Sequence, residues 1–136
     1  MSIWHVNGTL LGDRQGLIIG ILNASPESFF DGDTIENETN LVQRALTLYD
    51  DCADIVEVGG QTTRPGYKEG GLELTIEAEI ERTIPIIEAI KLARPDALVA
   101  IDTYKYGVMV AAINAGVDIV NDVNGFTDDP RQLPLI

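Results

Sequence analysis

Glu57-Val58-Gly59-Gly60-Gln61-Thr62-Thr63-Arg64-Pro65-Gly66 carries a β-like run into paired glycines, then into hydroxyls and a guanidinium. It reads as an anion-handling loop on a strand end. The glycines let the backbone turn sharply and approach a ligand, the threonines and the arginine fork supply donors, and the proline narrows the loop's freedom. Outward from it, short and mainly continuous apolar runs recur at Leu17–Leu22, Ile55–Val58, Ala97–Ile101 and Val117–Val120, the pattern of parallel strands covered on both faces.

Helical spacing fills the intervals. Leu41, Ala45, Leu48 and Cys52 fall in step, as do Ile76, Ile80, Ile84 and Ile87, and Val108, Ala112 and Ala115. Pro85 lies inside the second series and predicts either a kink or a new helix starting near it. The first dozen residues predict a small hairpin, Ile3–Val6 and Thr9–Leu11 about an Asn7-Gly8 turn. Strand–helix alternation without a linker or low-complexity tract predicts one α/β unit. An open doubly wound sheet is the competitor, but neither a Gly-x-Gly-x-x-Gly fingerprint nor a Walker loop occurs. The polar residues favour a barrel: Asn23, Gly59-Gly60, Asp102 and Asn121 each end a different strand, and in a barrel those ends meet at one mouth. A complete (β/α)8 barrel takes about 250 residues. These 136 therefore predict an incomplete TIM-barrel domain, the first four β/α units, spanning residues 1–136 with no second domain. Leu133-Pro134-Leu135-Ile136 follows a loop without a cap or charged tail, as expected of an interrupted chain.

Nine basic residues against 22 acidic ones give a net charge of −13, which argues against nucleic acid and against an anionic membrane as partners. No apolar run reaches transmembrane length and no secretory pattern opens the chain, so the cytoplasm is the expected compartment. One cysteine excludes an internal disulfide or a cysteine-based zinc cluster; Cys52, on an apolar stripe, is expected to be a buried packing residue rather than a reactive thiol. His5, the sole histidine, is expected at the surface of the hairpin, and no Ser-His-Asp set can be built around it.

Four segments in this order, Gly20–Gly32, Glu57–Gly66, Ala100–Lys105 and Ile119–Gly125, resemble the dihydropteroate synthase family over nearly the whole chain, as its amino-terminal half. The resemblance implies a cytoplasmic transferase of folate biosynthesis, homodimeric at full length. Its reaction condenses 6-hydroxymethyl-7,8-dihydropterin pyrophosphate with 4-aminobenzoate to give 7,8-dihydropteroate and pyrophosphate, with Mg²⁺ as cofactor.

Residue by residue, the resemblance assigns Asp102 and Asn121 to the pterin and Thr63 and Arg64 to the pyrophosphate and aryl-amine side. Arg64 would stabilise charge gathering on the leaving group. Ser25, Phe29 and Pro65 fall in the loops that close over pyrophosphate and the amine. In the functional reading Asn23 would be the metal ligand, its amide oxygen being of the hard kind Mg²⁺ accepts while sharing its shell with water and phosphate. Each has a plainer reading. Asn23 can cap its own turn, Asp102 can serve as a helix N-cap worth about 1 kcal/mol, Asn121 and Asp122 can be turn residues, and Arg64 can be a solvated surface group.

The sequence departs from the usual motifs: Glu57 stands where Asp is customary, Gln61 replaces Glu, Ala24-Ser25 replaces Val-Thr, and Glu27 replaces Asp. Those departures leave open a non-catalytic pterin-binding relative. A folate-dependent methyltransferase-type barrel is a further alternative, though that family lacks the Thr-Arg-Pro-Gly loop.

Overall fold

A computed structural model describes residues 4–11, 16–24, 34–60 and 73–136. Strands β1 (Trp4–Val6) and β2 (Thr9–Leu11) form the antiparallel hairpin. Asn7 and Gly8 hold φ of 45° and 81°, the two positive values a two-residue type I′ turn requires. His5 is exposed there, as expected.

Strands β3 (Ile19–Asn23), β4 (Ile55–Gly59), β5 (Leu98–Asp102) and β6 (Ile119–Asn121) pair in parallel in that order. Helices α1 (Thr34–Asp50), α2 (Ile76–Ala93) and α3 (Tyr106–Asn114) follow the first three of these strands, and a short α4 (Gln132–Leu135) closes the series. Leu133, Pro134 and Leu135 thus belong to a helical turn rather than to a loop end. The arrangement is four strands of a (β/α)8-type barrel with a hairpin in front.

Alternation decides what each face buries. Leu22, Val56, Val58, Val99 and Ile101 point outward and pack on Leu41 and Ala45 of α1, Ile86, Ile87 and Ile90 of α2, and Val108 and Ala112 of α3. The inward face carries Ile55, Leu98 and Ala100, capped at its amino end by Val6 and Leu11 of the hairpin. Asp118 ties that end together: its carboxylate accepts from Asn7 Nδ2 at 2.8 Å and from the Val99 backbone N–H at 2.9 Å, and it pairs with Lys91. The hairpin is therefore a plug for the end of the barrel opposite the polar row.

Two local expectations need correction, and a third is narrowed. Cys52 is exposed, because α1 stops at Asp50 and Cys52 takes the left-handed position of a Schellman cap, with φ of 86°. Its N–H bonds Tyr49 O and the next N–H, of Ala53, bonds Leu48 O, which turns the side chain off the apolar stripe. Of the two outcomes expected at Pro85, a new start does not occur: α2 runs through it. The carbonyl that proline deprives of a partner belongs to Glu81, an exposed residue that water can reach. The fully buried stripe of α2 is Glu79, Thr83, Ile86, Ile87 and Ile90; of the expected series Ile87 lies in it, Ile80 and Ile84 pack partly buried against the core, and Ile76 is 40% exposed.

Candidate functional site

Register puts the polar residues in one row. Asn23 lies level with Gly59, Gly59 with Asp102, and Asp102 with Asn121, so four parallel strands deliver their last residues side by side at the carboxyl ends. All four belong to the inward face, and one layer below them Ile21, Glu57, Ala100 and Ile119 form the next row. Gly59 leaves open the space beside Asp102: a Cβ at 59 would lie 3.8 Å from both Cβ and Oδ2 of the aspartate. Barrel enzymes do their chemistry at this end of the strands.

Asp102 is half-buried among acids. Loss of solvent first, then the charges of Glu57, Glu79 and Asp122, push its carboxyl from the ordinary 3.8 up to about 6. It does not cap α3, whose N-cap is Lys105 without a side-chain bond, so the plainer role considered for it does not apply. Near neutrality it is an ionised but proton-avid acceptor, suited to ring N–H and amino donors. Asn121 is exposed and its Nδ2 donates to Glu57 Oε2 at 2.9 Å. The turn reading holds instead for Asp122, whose oxygens accept from the N–H groups of Asn124 and Phe126, each at 2.8 Å. Asn23 is exposed at the start of the row.

Behind the row lies an ion pair that the periodicity argument missed. Lys105 Nζ donates to Glu79 Oε2 at 2.6 Å, with side-chain exposures of 9% and 2%. Glu79 and Thr83 press on Gly60, where a Cβ would come 3.0 Å from Glu79 Cγ and 2.9 Å from Thr83 Cγ2. Arg82 Nη1 adds a bond to the Gly60 carbonyl at 3.4 Å. At the far end of the same β4–α2 connection, Tyr104 Oη donates to Glu73. Both described ends of that loop are thus fastened, one to α2 and the other to the β5–α3 turn. Glu79 falls four residues before Thr83 and seven before Ile86, a spacing that places it on the buried face. Reading every residue on the α2 stripe, rather than isoleucines alone, would have found it.

Of the site residues read from sequence, Asn23, Asp102 and Asn121 are brought together. Ser25, Phe29, Thr63, Arg64 and Pro65 lie outside the described residues, as does Gln61. Among the described residues no cluster of three or more His, Cys, Asp or Glu side chains could hold a metal ion, and no helix is long and apolar enough to cross a membrane.

The profile of the pterin binding enzyme family matches residues 19–136, from the first residue of β3 onward. The chain belongs to that family. Among curated proteins it is 41% identical over 128 residues to a dihydropteroate synthase of Streptococcus pyogenes, covering 94% of this chain and 46% of that protein. Among solved structures it superposes with a TM-score of 0.82 and 34% identity on Xanthomonas albilineans dihydropteroate synthase with 4-aminobenzoic acid, covering 95% of this chain and 46% of the other. Burkholderia cenocepacia dihydropteroate synthase complexed with 7,8-dihydropteroate gives a TM-score of 0.79 at 31% identity, covering 99% of this chain and 42% of its own. The chain thus spans about half the length of the relatives it matches. The pterin-binding likeness and the (β/α)8-type architecture both agree with the sequence reading.

Proposed function

We propose that this chain forms part of a dihydropteroate synthase, which joins 6-hydroxymethyl-7,8-dihydropterin pyrophosphate to 4-aminobenzoate and releases pyrophosphate. The observation that carries the reading is the single row of Asn23, Gly59, Asp102 and Asn121 at the carboxyl ends of four parallel strands, in a chain of the pterin-binding family. In this reading Asp102 and Asn121 bind the pterin edge, whose ring nitrogens, carbonyl and amino group need partners that both accept and donate. Thr63 and Arg64 hold the pyrophosphate, and Ser25, Phe29 and Pro65 border the aryl amine.

Mg²⁺ fits the donors present. Asn23 offers one exposed hard oxygen at the mouth, and Mg²⁺ takes few protein ligands, filling its shell with water and substrate phosphates. When bound it would neutralise charge on the departing pyrophosphate. The chain's own groups do the rest: Asp102 and Asn121 fix the ring, Arg64 meets the growing negative charge, and the loop orients the amine toward the exocyclic carbon. The pterin ring can stabilise a cation on that carbon, so no side-chain nucleophile is required. A cytoplasmic location and a homodimeric full-length form belong to the same proposal, supported by the likeness to the synthases.

Steady-state kinetics on an intact enzyme carrying this sequence test the assignment. Asp102→Asn should act on KM for the pterin pyrophosphate, because it touches a ring present throughout. Arg64→Ala should act on kcat, because its partner charge grows only as pyrophosphate leaves. An Arg64→Ala effect confined to KM, or an Asp102→Asn enzyme with both constants unchanged, contradicts these roles.

A further inference from the structure

Asn121 has a neighbour that determines which way its amide faces. Glu57 projects from β4 one layer below the polar row, and its carboxylate reaches two strands across to Asn121 Nδ2 at 2.9 Å. The path is open because the intervening strand carries Ala100 at the level of Glu57. An ionised carboxylate only accepts, so the nitrogen end of the Asn121 amide must face Glu57 and the oxygen end must face away. A shorter aspartate at 57 would fall short by about one C–C bond, roughly 1.5 Å. A hydrogen bond of 2.9 Å does not survive that gap.

We propose that Glu57 is a positioning residue for pterin selection: by taking the Asn121 nitrogen it presents the Asn121 oxygen to the mouth as an acceptor for a ring N–H. This rests on the pterin reading above and extends it to a residue one layer below the polar row. The chemical consequence is a preference between two pteridines. A 2-amino-4-oxo ring offers an N–H beside its carbonyl, whereas a 2,4-diamino ring has an unprotonated nitrogen in the same place, which would confront the Asn121 oxygen with a second acceptor.

Glu57→Gln separates positioning from reach. Glutamine has the same length but can donate as well as accept, so the Asn121 amide is released to turn over. Glu57→Asp keeps the charge and loses the contact. The experiment measures, on an intact enzyme carrying this sequence, the dissociation constants of 6-hydroxymethylpterin and of 2,4-diaminopteridine by their fluorescence, alongside the side-chain amide resonance of Asn121 in a ¹⁵N-labelled sample.

The expected result is a preference for the 2-amino-4-oxo ring that narrows roughly tenfold in both variants, the worth of about one hydrogen bond, with the Asn121 amide resonance shifted. In an Asn121→Ala background the Glu57 substitutions should leave the preference unchanged, which a general loosening of the barrel would not. Binding with the same preference in wild type and Glu57→Gln overturns this inference alone. If the intact wild-type enzyme binds neither pteridine, the pterin reading fails and this inference with it.

Discussion

Asp102→Asn should stabilise the fold while it damages ligand binding. The carboxyl of Asp102 titrates near 6 in the folded chain against 3.8 when unperturbed, because the fold removes it from water and surrounds it with Glu57, Glu79 and Asp122. As pH rises past 3.8 the unfolded chain releases this proton first and the folded chain keeps it to about 6. Over that window the native state binds more protons, so stability falls with rising pH and stays lower above it. At about 1.4 kcal/mol for each pH unit the difference would amount to about 3 kcal/mol. Asp102 is only half-buried, and solvent screening cuts this to on the order of 1 kcal/mol. Asparagine has the shape without the charge. Urea unfolding of both chains at one fixed concentration, at pH 4 and pH 7.5, should therefore show nearly equal stabilities in acid and the variant ahead by about 1 kcal/mol at pH 7.5. A variant less stable at pH 7.5, or an offset that does not depend on pH, refutes the electrostatic account. Such opposition between function and stability is expected of a residue held against its own solvation.

Two further outcomes concern the base of the β4–α2 loop. Gly60→Ala should cost about 1–3 kcal/mol in urea unfolding, since its Cβ would press on Thr83 and on a Glu79 side chain pinned by Lys105; a loss below about 0.5 kcal/mol would mean that α2 gives way freely. Glu79→Gln should cost about 3 kcal/mol by removing the buried carboxylate that pairs with the Lys105 ammonium, and the apolar pair Glu79→Leu with Lys105→Met should recover most of it. A double variant as unstable as the single one would show that the charge is not the cause.

The strands were legible because parallel strands buried on both faces leave continuous apolar runs, and each run ended in the polar residue that the register now sets in one row. The ends of the elements were less so. Leu17 and Ile18 read as strand but precede β3, and Cys52 kept the helical period of α1 although its own left-handed backbone ends the helix. A cap depends on one positive φ, which a cysteine does not advertise. The α2 stripe was misread for a different reason: isoleucine is common enough there to suggest a face, while the true face carries a glutamate and a threonine that fit only because position 60 has no side chain. Long-range polar contacts were out of reach of any local pattern. Glu57 and Asn121 are 64 residues apart, and only the register of three strands brings them together.

The central claim, that the carboxyl ends of β3–β6 bind a pterin, is most directly tested by titrating the ¹⁵N-labelled chain with 6-hydroxymethyl-7,8-dihydropterin pyrophosphate and Mg²⁺. The account predicts saturable shifts in the backbone amides of Gly59, Asp102, Thr103 and Asn121, weakened by Asp102→Asn, with Asn7, Val99 and Asp118 at the opposite end unmoved. Shifts concentrated around the hairpin and Asp118, or shifts at the row that Asp102→Asn leaves intact, would contradict it.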